Sequence, residues 1–267
     1  MYVTLALLAA VSLAPAQADS LELKNVRFTQ SVLGTARADS KFLPGDLAVL
    51  SFDAEGLQPT DRSRVRYAIG MELKRKGADK AEYTRVPTDA EAVTALGGTH
   101  LPLHAVANIG TDTPPGTYVM KVTVADRVGK GTATVEREFE VLPAQLGFVR
   151  LGLSYNAEQP APPLAVTGQT LYLNFGLVGF ARDTKNKQPD LTLQCRVLDA
   201  AGKPTTAKPF GGTVKMVKEG FEDFIPFDPI AFQTHRSGQF RIVMKVTDNL
   251  TKKTAEQTLN LTVQAIK

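Results

Sequence analysis

The chain has 267 residues, with 31 Lys and Arg against 27 Asp and Glu, for a net charge of +4. The excess positive charge is small and scattered, which argues against a nucleic-acid-binding surface, where basic residues gather in a stripe or patch. There is one Cys, so no intrachain disulfide can form, and no Trp to serve as a sugar-stacking platform.

Residues 1–18, MYVTLALLAAVSLAPAQA, are uncharged and mostly apolar and end in a small-x-small pattern at Ala16 and Ala18. They predict a secretory signal peptide, and hence an extracytoplasmic protein, periplasmic, surface-bound or secreted. The apolar run is shorter than the about 20 residues that a membrane-spanning helix needs, and no later stretch approaches that length.

The remaining sequence reads as a succession of short strands. In the first half they fall at about 22–29, 46–53, 65–75, 82–86, 101–107, 117–126 and 133–141, from alternating apolar positions bounded by turn residues. Residues 89–96, DAEAVTAL, lack that alternation and predict one helical turn in a connection. In the second half the strands fall at about 147–154, 169–178, 190–198, 213–218, 223–227, 239–248 and 255–264. Leu142 to Gln145 form a short, Pro-containing link between the halves, which predicts a semi-rigid junction.

The two lists are copies. Gly116, Tyr118, Val124, Asp126 and Val141 correspond to Gly238, Phe240, Val246, Asp248 and Val263 at an offset of 122. Tyr67, Ile69, Met71 and Leu73 correspond to Leu191, Leu193, Cys195 and Val197 at an offset of 124. Gly45 to Phe52 match Gly168 to Phe175 at 123, and Val26 to Phe28 align with Val149 to Leu151 at the same offset. Offsets change only between blocks, which puts the insertions in loops. Tyr118 and Phe240 start their strands on the inward phase and are expected to anchor the two cores.

About seven strands per copy and no convincing helix point to an all-β chain: two tandem immunoglobulin-like β-sandwich domains, 19–143 and 144–267, after a signal peptide at 1–18. The hairpin PPGTYVMKVTVADRVGKGTATVEREFEV resembles the closing strands of bacterial immunoglobulin-like and fibronectin-type-III-like domains. The second copy departs from that pattern, with Ser237 in place of Pro and Leu261 in place of Phe. The resemblance implies fold, an extracytoplasmic setting and a binding or spacer role; it implies no site residues.

The residues that could carry chemistry each have a plainer role. His100 and His104 have the spacing of zinc ligands on a helix, but Pro102 lies between them. On a strand they would stand about 13 Å apart, too far for one metal. Asp126 and Asp248 end strands beside Arg127, Lys130, Lys252 and Lys253, which suits turn capping better than a calcium cluster. Cys195 lies in an alternating apolar run with no base nearby in sequence, the context of an inert thiol. The sequon-like Asn249 and Asn260 are read as chance matches. No motif of a hydrolase, metalloprotease or nucleotide-binding loop occurs. The expectation is a protein that is not an enzyme, without cofactor or metal.

One feature is distinctive. Arg62, Arg64, Arg66, Lys74, Arg75 and Lys76 concentrate positive charge along and beyond one strand of the first copy, with no counterpart in the second. They are the candidate binding residues, for a protein or cell-surface polymer; a solvated strand face that protects an edge from pairing is the plainer reading. The functional expectation is a non-catalytic binding, adhesion or spacer module, with a carbohydrate-binding accessory protein as the alternative.

Overall fold

A computed structural model describes residues 20–266. The predicted signal segment, 1–18, lies outside the described residues. Every regular element among them is a strand. The first half contains β1 (Glu22–Thr29), β2 (Lys41–Phe42), β3 (Leu47–Glu55), β4 (Arg64–Arg75), β5 (Tyr83–Val93), β6 (Leu101–Asn108), β7 (Gly116–Asp126) and β8 (Thr132–Val141). The second contains β9 (Gly147–Ser154), β10 (Pro160–Ala161), β11 (Leu164–Val166), β12 (Thr170–Val178), β13 (Leu191–Asp199), β14 (Phe210–Val214), β15 (Phe224–Pro226), β16 (Ile230–Gln233), β17 (Gly238–Asp248) and β18 (Thr254–Gln264).

Four sheets result. β1-β3-β6 faces β2-β8-β7-β4-β5 across one apolar core, and β10-β9-β12 with β15 and β16 faces β11-β18-β17-β13-β14 across another. Alternation explains this layering: along β7, Tyr118, Met120, Val122 and Val124 point inward and are buried, while the residues between them are half-buried. None of the strand ladders among the described residues joins the first half to the second.

The ladders repeat residue for residue. Tyr67 stands opposite Asp126, and Leu191 opposite Asp248; Met71 stands opposite Val122, and Cys195 opposite Met244. Gly116 pairs with Val141 as Gly238 pairs with Val263. Even the two-residue parallel contact of β2 on β8 recurs as β11 on β18. The first strand is the exception to the sequence alignment. Arg27 pairs with Ser51, and Gly152 pairs with Asn174, so Arg27 corresponds to Gly152 and the true offset is 125, not 123. The cause is physical: slipping a strand by two residues returns every side chain to the same face, so alternation alone cannot resolve it.

Residues 89–96 form no helical turn. Asp89 to Val93 continue β5, paired with Arg64 to Ala68 of β4. β5 is exposed along almost its whole length, so it carries no alternation to read; its ladder bonds to β4 hold it instead. The interruption near Val86 and Pro87 is a bulge opposite Gly70, where Pro has no N–H to give the ladder.

The two cores are filled differently. In the first, Phe28, Phe42 and Phe139 interlock edge to face with centroids 5.3–5.7 Å apart. Tyr118 stacks on Phe139 and donates its hydroxyl to the Pro114 carbonyl at 2.9 Å. Register places Leu153, Ala165, Leu261 and Phe240 at the equivalent positions of the second core. Phe240 is therefore not the buried anchor expected from its phase. It is only half-buried, because the rings that would enclose it are absent. Cys195 is buried in this core, and burial pushes its thiol up to about 12, so it stays protonated and unreactive.

Candidate functional site

The six basic residues singled out from the sequence are all exposed, but they do not form one patch. Arg64 and Arg66 lie on the outward phase at the start of β4, with Arg62 in the turn before it. Lys74, Arg75 and Lys76 lie at the far end. Arg66 and Lys74 are separated by about 26 Å at the usual strand rise. At the first end, Arg64 and Arg66 both clamp Glu91 of β5, the second at 2.8 Å. These bonds hold the Glu91 carboxyl below its ordinary range. At the other end, Arg75 donates to the Pro115 carbonyl at 3.0 Å, and Lys76 pairs with Glu138 at 2.8 Å. These contacts tie the two ends of β4 to β5, to the start of β7 and to β8, and Arg62 and Lys74 are the members for which no hydrogen-bond or ion-pair partner is seen among the described residues.

Asp126 and Asp248 act as turn caps. Asp126 accepts from the amides of Gln58 and Val128, both at 2.8 Å. Asp248 accepts from Ala181 and Leu250 at 2.9 Å and from Thr251 at 3.2 Å. His100 and His104 lie on exposed backbone at and before β6, and among the described residues no group of three or more His, Cys, Asp or Glu is placed to hold a metal ion.

Two features escaped the sequence. The first is the contact between the halves. Arg150 adopts a left-handed backbone conformation, φ 54°, at the bulge of β9. That turn aims its amide at Asp46 Oδ1 (2.8 Å), its Nε at the Gly45 carbonyl (2.9 Å) and its Nη2 at Asn108 Oδ1 (3.0 Å). The guanidinium also lies 4.5 Å from the centroid of Phe224. Asp46 is buried, and its other oxygen accepts from Arg37 at 3.2 Å. The surface that receives Arg150 is the end of the first half where β7 starts and β3 begins. Gly45 there has φ 94°, and a Cβ on it would meet Val178 of the second half at 2.8 Å.

The second feature is a cleft of about 560 Å³ in the second half, opening between its two sheets at the end where β17 starts. Its walls are Phe210 of β14, Ile230 and Phe232 of β16, Val197, Phe240 and Leu261. Phe210 and Phe232 meet across the opening edge to face, with centroids 5.6 Å apart. Thr205, Thr206, His235 and Arg236 form a polar rim, with the Arg236 guanidinium 5.1 Å from the centroid of Phe240. This is the end of the second half equivalent to the end of the first that the second half covers. Gly168, the counterpart of Gly45 with φ 93°, would bring an added Cβ within 4 Å of nothing among the described residues. The sequence signal for the cleft was the replacement of Phe139 by Leu261. Its partner replacement, Ala165 for Phe42, sits in a strand too short to show a pattern.

No family model matches the chain, and neither does any curated protein.

Proposed function

We propose that the chain is an exported, non-catalytic protein of two tandem immunoglobulin-like β-sandwiches, which binds or spaces a protein or polymer at the cell surface or in the periplasm. The observation that carries this reading is the shared register: β4, β7 and β8 and their counterparts β13, β17 and β18 pair at equivalent residues throughout. Two copies of one sandwich serve as a rod with repeated surfaces. The Arg150 contact supports the spacer element, because it fixes one copy on the other through directed hydrogen bonds. Among the described residues the one thiol is buried and protonated, and both strand-ending aspartates accept from backbone amides.

Fractionation of the source cells tests the reading. The chain should be found outside the cytoplasm, with Asp19 as its first residue, and should retain an envelope polymer or protein when immobilised. A cytosolic chain that keeps Met1 would overturn export.

A further inference from the structure

We infer that the cleft in the second half binds a single-chain anionic amphiphile, of the chemical class of a fatty acid, with its apolar chain between the sheets and its carboxylate at Arg236. The inference deepens the binding reading above by giving one copy a ligand of stated chemistry.

The cleft follows from the comparison of the two cores. In the first half the space between the sheets at this end is closed by Phe42 and Phe139, packed on Tyr118 and Phe28. In the second half the same ladder positions hold Ala165 and Leu261, packed near Phe240. Two aromatic rings have become a methyl and an isobutyl group. The opposite sheet compensates only in part: Ala105 and Ala107 of β6 correspond to Ile230 and Phe232 of β16, and these two line the opening instead of filling it. An apolar cleft open to water is unfavourable, because its walls stay hydrated and forgo the contacts that burial would give them. An apolar guest recovers them. The volume lies within the roughly 300–1,000 Å³ usual for small-molecule sites.

The rim determines the charge of the guest. Among the described residues no Asp or Glu lines the cleft, and Arg236 is the one charged residue that does. Its guanidinium lies over the Phe240 ring at the mouth, where five N–H donors have no carboxylate among the lining residues to meet. Thr205 and Thr206 also line the cleft, the Thr206 hydroxyl donating to the Lys208 carbonyl at 2.9 Å. A carboxylate above an apolar chain satisfies both parts of the site; a cationic or neutral head of the same chain length satisfies only the lower one. The geometry suits a narrow chain, since Phe210 and Phe232 already touch across the opening.

Isothermal titration calorimetry of the purified chain with sodium decanoate, below its micelle concentration, is the test. One decanoate should bind per chain. Arg236→Gln, at an exposed position, should weaken binding about tenfold, the loss of one charge-assisted hydrogen bond. Leu261→Phe restores a ring that the first half carries and should abolish binding while leaving the far-UV spectrum unchanged. Decyltrimethylammonium should bind at least tenfold more weakly than decanoate. No heat with decanoate, equal binding of the ammonium, or undiminished binding by Arg236→Gln each overturns the assignment, as does tight binding of a peptide with an apolar C-terminal residue in place of decanoate. If Leu261→Phe fails to fold, Arg236→Gln and the ammonium decide the matter alone. Failure here leaves the export and envelope-retention results untouched, so the two readings fall separately.

Discussion

Asp126 and Asp248 stand at the same point of two ladders and hold the same loop. Each ends the long strand of its hairpin, caps the turn that follows, and reaches across to the chain leaving the opposite sheet, at Gln58 in one copy and Ala181 in the other. A buried carboxylate thus joins the two sheets of each sandwich where no ladder can. The Asp248 carboxyl is raised by burial but lowered further by the amides of Ala181, Thr251 and Leu250, and the balance falls below its ordinary value of 3.8.

The pH dependence follows in sign. A carboxyl with a depressed folded pKa contributes stability that is complete above its unfolded value and is lost as pH falls through the folded one. The Asp248 contribution should be constant from neutrality down to about pH 4 and disappear only in stronger acid. Asp248→Ala should cost about 3 kcal/mol at neutral pH, since three amides lose a charged partner. The gap in melting temperature between this variant and the natural chain should narrow as pH falls below about 4. A gap that persists unchanged into that range would show that the carboxylate charge is immaterial.

Arg150 should couple the unfolding of the two halves. Arg150→Gly keeps the amide that Asp46 accepts and suits φ 54°, so it removes only the side-chain bonds and the ring contact. It should lower stability by about 1–2 kcal/mol and split a single calorimetric transition into two. Arg150→Ala should cost about 1 kcal/mol more, because Ala is strained in the left-handed region. Equal effects of the two variants would mean that the backbone conformation is not retained.

The cores make a second contrast. Tyr118 is fully buried, stacked on Phe139 and hydrogen-bonded to Pro114, whereas Phe240 stands half-exposed at the mouth of the cleft. Tyr118→Ala should cost about 3–5 kcal/mol. Phe240→Ala should cost less than half as much, since the cavity it leaves is already open to water. Denaturant titration of each variant measures the difference, and equal costs would mean that the second core is closed in solution.

Much of this architecture was legible in the sequence, because long half-buried strands write their period into the chain. β4, β7 and β8 could be aligned with their copies to the residue, as Tyr67 against Asp126 and Leu191 against Asp248 attest. What failed to show has definite causes. The first strand could slip by two without changing faces. β5 has no buried face to mark it. The charges of β4 are close in composition but distant along an extended strand, and their partner Glu91 comes from a segment that reads as a connection. The cleft depends on which residue of a two- or three-residue parallel strand meets Val141 or Val263, and no pattern that short carries a register.

The β4 charges lead to the last prediction. Glu91 holds both Arg64 and Arg66, so it neutralises the end of the strand that would otherwise present three guanidinium groups with Arg62. Lys76 is similarly held by Glu138 at the other end. If the basic residues served to attract an anionic polymer, both carboxylates would weaken that attraction. Glu91→Gln should release Arg64 and Arg66 and increase retention of the chain on heparin, with an elution salt clearly above that of the natural chain. Glu138→Gln should act in the same direction but less, because it frees one cation. Stability should change little in either variant, since exposed ion pairs contribute roughly 0–1 kcal/mol. Raising ionic strength to about 0.5 M, where the screening length falls to a few ångströms, should erase the gain. If Glu91→Gln leaves retention unchanged and instead frays β5, shown by faster amide exchange at Thr84 to Val93, then the two arginines are edge fasteners. The charge concentration in the first copy would then belong to the ladder rather than to a partner.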